Sequence, residues 1–191
     1  MTAIMAKRLR NTKELATVPG NLPGWYRWWA NDEALRALLG DHFEQLSTLL
    51  TKGTSGGLKG HSCVYVGVAV KESIRARLNW HINQKHSHSS VKHGILSTLR
   101  QSIASLVGKD QGDEGATNRL INLLTVEYFS VKLAIKSSKA KKHIDQMELQ
   151  ELTTKILPLN IQCNRRPEIA EFKKHLRAAR KSAKSRYLIK H

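Results

Sequence analysis

Hydrophobic positions along this chain follow two periods. Leu22–Ala30 is aromatic-rich and begins at a Pro-Gly turn, and Cys63–Ala69 and Val126–Ile135 are rich in β-branched and aromatic residues; each reads as a strand. Alternation in the first puts Tyr26 and Trp28 on one face and Trp25 and Trp29 on the other. The segments between follow the helical period. Asn31–Lys52 spaces Leu35, Leu38, Leu39, Phe43, Leu46, Leu49 and Leu50 as a helix does, with Asp32 as cap and a break near Gly40. Lys71–Gln84 repeats Ile74, Leu78 and Ile82, and Ile95–Val107 is amphipathic on Ile95, Leu96, Leu99, Ile103, Leu106 and Val107. A short helix follows through Leu120–Leu124, and Ser138–Leu157 is a helix stopped by Pro158. Residues 53–60, 84–94 and 108–117 read as loops. The order predicts an α+β fold, a mixed α/β sandwich in which helices flank a small three-stranded sheet.

Composition narrows the class. The 191 residues are 40% hydrophobic, enough for one cored domain and too apolar for a disordered polycation. No apolar run approaches the roughly 18 residues of a membrane span. The N-terminus lacks the apolar stretch of a secretory signal, and Cys63 and Cys163 form no disulfide framework, so a cytoplasmic protein with free thiols is expected. A formal charge of +17 and a pI near 10.2 make a polyanion the first partner to consider. The surplus is uneven: +8 falls in the 27 residues from Arg165 to His191. That stretch reads as a basic helix opened by Pro167-Glu168, with a thin apolar stripe of Ile169, Phe172, Leu176 and Ala179. Its Lys173, Lys174, Arg177, Arg180, Lys181, Lys184 and Arg186 are candidate phosphate contacts; a solvated tail that aids solubility has the same composition.

Three features carry candidate chemistry. Arg77 and His81 stand four residues apart on one side of a helix, where a cation and an imidazole can hold a phosphate and relay a proton. Surface Arg and capping His is the plainer reading. Glu148 sits among Ile144, Leu152 and Ile156 on an apolar stripe, a costly place for a carboxylate unless it is paired, protonated or metal-bound; Lys155 is a candidate neighbour. His81, His86, His88 and His93 cluster, but at a spacing that matches no zinc motif. A zinc-stabilised structural protein is the reading they would support. The aromatic strand reads as packing before it reads as a base-stacking platform.

Taken in chain order, these residues resemble the GIY-YIG nuclease family. Gly24-Trp25-Tyr26 stands where the first namesake tripeptide falls, and Tyr65-Val66-Gly67 where the second does. Ser73 to His81 resembles the family's S-L-x-x-R-L-x-x-H helix, which selects Arg77 over Arg75 and pairs it with His81. Glu148, twelve residues before the Asn160 of Pro158-Leu159-Asn160, matches the late signature. The resemblance covers residues 22–162, leaving a basic segment at 1–21 and a basic helix at 163–191. Trp25 replaces the usual Ile, and the stretches around 31–60 and 85–125 read as insertions; enlarged members include restriction endonucleases, which suggests a restriction or defence role. The resemblance implies metal-dependent hydrolysis of DNA phosphodiester bonds. Glu148 would hold Mg2+ or Mn2+, Arg77 would offset phosphoryl charge, and Tyr26 would act as general base beside His81. Tyr65 would orient water or phosphate, and Asn160 would position Glu148 or nearby backbone. The alternative is a non-catalytic nucleic-acid-binding module on the same fold.

Overall fold

A computed structural model describes residues 2–162 and 164–190. Its sheet has the order β1-β4-β2-β3, with β1 at Thr2–Met5, β2 at Gly24–Ala30, β3 at Ser62–Ala69 and β4 at Leu124–Ser130; every pairing is antiparallel. The expected sheet of three strands thus gains a fourth. Thr2–Met5 is too short and too exposed for periodicity to reveal it, and pairing with β4 is what orders it. The last strand ends at Ser130, not Ile135, because Ser130 already faces Gly24, the first residue of β2.

The helices are α1 Thr12–Ala16, α2 Asp32–Leu39, α3 Phe43–Ser47, α4 Ile74–Asn83, α5 His88–Lys92, α6 Thr98–Val107, α7 Glu114–Leu123, α8 Ser138–Thr154 and α9 Ala170–Lys190. Asn31, not Asp32, caps α2, accepting from the Ala34 amide at 2.9 Å. Gly40, at φ +52°, breaks the run where a side chain would be strained. Within the segment 84–94, read as a loop, Ser87 caps the single turn of α5 and Val91 is buried.

Tyr26 and Trp28 project from β2 into the main core, against Leu35 and Leu38 of α2, Ile74, Leu78 and Ile82 of α4, and Leu99 and Ile103 of α6. Phe172 and Leu176 of α9 join the same core, and Ala183 and Tyr187 continue its buried stripe. On the opposite sheet face, Trp29, Cys63 and Val66 pack with Leu152 and Leu157, under α8. The Cys63 thiol is free, and burial pushes its pKa up to about 12; Cys163 lies outside the described residues.

That second face also holds a buried ionic cluster. Arg27 donates to both oxygens of Glu151, at 2.8 and 2.6 Å, and to Glu127 at 3.0 Å; Lys155 completes Glu151 at 2.5 Å. Lys155 therefore pairs with Glu151, not with Glu148. The free edge of β3 is closed by the segment after α8, where the Leu159 amide donates to the Val64 carbonyl at 3.1 Å.

Candidate active site

Two glycines let the strands carry a tyrosine pair. Tyr26 lies opposite Gly67 in the β2–β3 register, and a Cβ on Gly67 would sit 2.3 Å from the Tyr26 hydroxyl. A Cβ on Gly24 would meet the Phe129 carbonyl oxygen at 2.0 Å, so β2 can approach β4 there only as glycine. Tyr65 faces Trp28 across the same strand pair and shares the core face with Tyr26.

Ser73 sets the phase of the next element. Its hydroxyl accepts from the Ala76 amide at 3.1 Å as the N-cap of α4, so Arg77 and His81 follow at four and eight residues, on one side. His81 is buried and its Nε2 lies 2.5 Å from the Tyr26 hydroxyl. Burial, then the cations Arg77 and Arg100, lower its pKa to about 3, so the imidazole is neutral. Burial and the neighbouring Tyr65 hold the Tyr26 phenol well above its ordinary value. With Nδ1 carrying the ring proton, the phenol donates to the Nε2 lone pair.

Arg77 pairs with Glu72 at 2.7 Å and lies 4.8 Å from the centre of the Trp80 ring; its buried Nε has no partner among the described residues. Arg75, two residues earlier, is spent on structure, donating to the carbonyls of Val18 and Ala16, both at 2.6 Å. Arg75 is thus held by backbone carbonyls and Arg77 by a carboxylate. Arg100 is fully buried and clamps the end of α4. It donates to the carbonyls of His81 and Ile82, at 3.0 and 3.1 Å, and to His86 Nε2 at 2.9 Å.

Glu148 faces a cavity of about 200 Å3 lined also by Tyr65, Thr98, Asn160 and Gln162. Half-buried, it makes no hydrogen bond or ion pair among the described residues, and burial, then Asp145, raises its pKa. Tyr65 is pushed up to about 12 by burial and Glu148, against the pull of Arg77 and Arg180. Asn160 bonds to Val66 rather than Glu148: it accepts from the Val66 amide and donates to the Val66 carbonyl, both at 2.9 Å, like one more strand residue. Tyr65 is thereby fixed on the backbone beside it.

The other candidates disperse. His86 donates Nδ1–H to the Gln111 carbonyl at 2.7 Å, His88 lies by Tyr187, and His93 is exposed, so with His81 they share no ligand site. No group of three or more His, Cys, Asp or Glu able to hold a metal occurs among the described residues. On α9, Lys174, Arg177, Lys181 and Arg186 are exposed, whereas Lys173 is buried and donates to the Asn164 carbonyl. Lys184 and Arg180 are half-buried. Periodicity gave no sign of Glu72 or Trp80, which flank Arg77 off the apolar stripe, nor of Arg100, whose partners only folding supplies.

A family model described as the GIY-YIG catalytic domain matches residues 24–182. Searches of curated proteins and of solved structures found no match. Among the described residues, no helix is long and apolar enough to cross a membrane.

Proposed function

Because the chain belongs to the GIY-YIG family, we propose that it is an endonuclease that hydrolyses DNA phosphodiester bonds with Mg2+ or Mn2+ held at Glu148. The observation that carries this reading is the unpaired Glu148 carboxylate, in a cavity it shares with Tyr65, within electrostatic reach of the Tyr26–His81 pair. One carboxylate in a polar cavity suits a hard cation whose remaining positions fall to phosphate and water; a zinc cage needs more protein ligands. When bound, the ion supplies Lewis-acid polarisation of the phosphate and stabilises the leaving 3′ oxygen.

The side chains move the proton. Tyr26 takes it from the attacking water as its own hydroxyl proton passes to His81 Nε2, so no charge is stranded on the buried phenol. The water oxygen bonds to phosphorus, the P–O3′ bond breaks, and the 3′ oxygen is protonated from solvent. His81 can receive because it starts neutral, and a phosphate against Arg77 offsets one of the cations that oppose its protonation. Arg77 neutralises charge on the phosphoryl oxygens, exchanging Glu72 for the substrate. Tyr65 orients the water or the phosphate.

The substrate's backbone lies along the exposed cations of α9. The helices between β2 and β3 and between α4 and β4 thicken one layer, and this enlargement favours a restriction or defence nuclease working in the cytoplasm. Incubation with supercoiled plasmid tests the reaction: wild type with Mg2+ should nick or linearise it, and Arg77→Ala should not. Plasmid left intact by wild type over a range of Mg2+ and Mn2+, with duplex binding retained, would reduce the protein to a nucleic-acid-binding module.

A further inference from the structure

Arginines in this protein that lie partly inside are matched by anions or saturated by acceptors. Arg27 has Glu127 and Glu151, Arg77 has Glu72, and Arg100 is taken up by backbone carbonyls, His86 and Asn118. Arg180 differs. It is half-buried on α9, and no carboxylate lies within ion-pair distance of it among the described residues. Among the described residues, its side chain bonds to the neutral amide oxygen of Gln101.

That amide is itself fixed. The Gln101 nitrogen donates to the carbonyls of Leu96 and Gly94, at 2.5 and 3.2 Å, which leaves the oxygen turned to Arg180. A cation so placed loses hydration without gaining a counter-charge, and burial lowers its pKa accordingly. Its surroundings border the Glu148 cavity. Gln101 is one turn along α6 from Thr98, which lines the cavity, and Arg177, one turn earlier on α9, donates to the carbonyl of Ile161, another lining residue, at 3.5 Å. The field of Arg180 also reaches Tyr65.

We infer that Arg180 is a substrate-binding residue of the nuclease site, taking the phosphate next to the one that is cut. The inference rests on the proposed nuclease reading and adds a second anchor to it. Arg77 meets the reacting phosphate; Arg180, pre-set by Gln101 and lacking its anion, aligns the strand by the neighbouring one. The other α9 cations, such as the exposed Lys181, serve as diffuse attraction.

The test compares Arg180→Gln, Arg180→Lys, Gln101→Leu and Lys181→Gln in the full chain. Binding of a short fluorescein-labelled duplex is followed by anisotropy without divalent metal over a salt series. Arg180→Gln should weaken binding about tenfold, the loss of one charge-assisted contact. Its slope of log K against log salt should flatten by about 0.9. Arg180→Lys should recover part of that affinity and Gln101→Leu should lose part of it, while Lys181→Gln, which removes one diffuse surface charge, should lose only about twofold. In plasmid cleavage, Arg180→Gln should raise KM and leave kcat within a few-fold of wild type. Binding by folded Arg180→Gln equal to that of Lys181→Gln would overturn the inference. If wild type leaves plasmid intact while the binding differences hold, hydrolysis falls and Arg180 keeps its role as a phosphate anchor. If plasmid is cut and the two variants bind alike, hydrolysis stands and the role of Arg180 falls.

Discussion

Glu148 and Glu151 lie three residues apart on α8, and the fold treats them in opposite ways. Glu151 turns to the sheet, where Arg27 grips both its oxygens and Lys155 adds a further contact; those partners hold its pKa below the ordinary value although burial alone would raise it. Glu148 turns to the cavity it shares with Tyr65 and has no partner among the described residues, so burial and Asp145 leave its pKa raised. The same side chain on the same helix is thus buried with counter-charges in one register and, among the described residues, without them in the other. Arg180 repeats the second case with the sign reversed, half-buried and bonded to the neutral amide of Gln101 instead of to a carboxylate.

The contrast breaks most visibly at activity. Glu148→Gln should lower plasmid cleavage by about a thousandfold or more, while the thermal midpoint and duplex affinity stay near wild type. Cleavage kept by that variant would return Glu148 to the structural class. Tyr26→Phe removes only the hydroxyl that meets His81; kcat should fall about a hundredfold or more, as for loss of a positioned acid or base. A rate within a few-fold of wild type would make that bond mere packing. Glu151→Gln inverts the pattern: uncovering Arg27 and Lys155 should cost about 3 kcal/mol in denaturant unfolding, with cleavage per folded molecule retained.

The smallest effects are in pH. A carboxylate with a lowered folded pKa, such as Glu151, stabilises the fold above its unfolded value of 4.5, and that stability is lost as pH falls through the folded value. Glu148 runs the other way. Its folded pKa is raised above 4.5, so its share of stability declines as pH rises from that value, and Glu148→Gln should remove this slope from unfolding titrations. In catalysis, with Glu148 as the proposed ligand, the acid limb of kcat/KM should lie above the ordinary carboxylate value and shift to lower pH as Mg2+ is raised, metal and proton then competing for that group. No limb is expected at the usual histidine value, since the His81 pKa is lowered to about 3.

Local pattern carried much of the site. Ser73, Arg77 and His81 are legible because a helix cap and four-residue steps repeat within a single element, and Glu148 because it interrupts an apolar stripe. The two motif glycines were visible as letters, but their reason, the Tyr26 ring over Gly67 and the Phe129 carbonyl against Gly24, exists only once strands pair. Asn160 was legible as a motif residue, while its action on the Val66 backbone depends on β3 being an edge strand that this segment covers.

By itself, then, the sequence determined the helical phases, the strand alternation and the identity of the charged groups, since these depend on neighbours a few positions apart. The tertiary structure alone decided which charges are answered. It joined Arg27 to Glu151 across 124 residues and laid a basic helix against the core. Among the described residues it left Glu148 and Arg180 without counter-charges, because whether a charge is paired depends on which distant segment folding brings beside it.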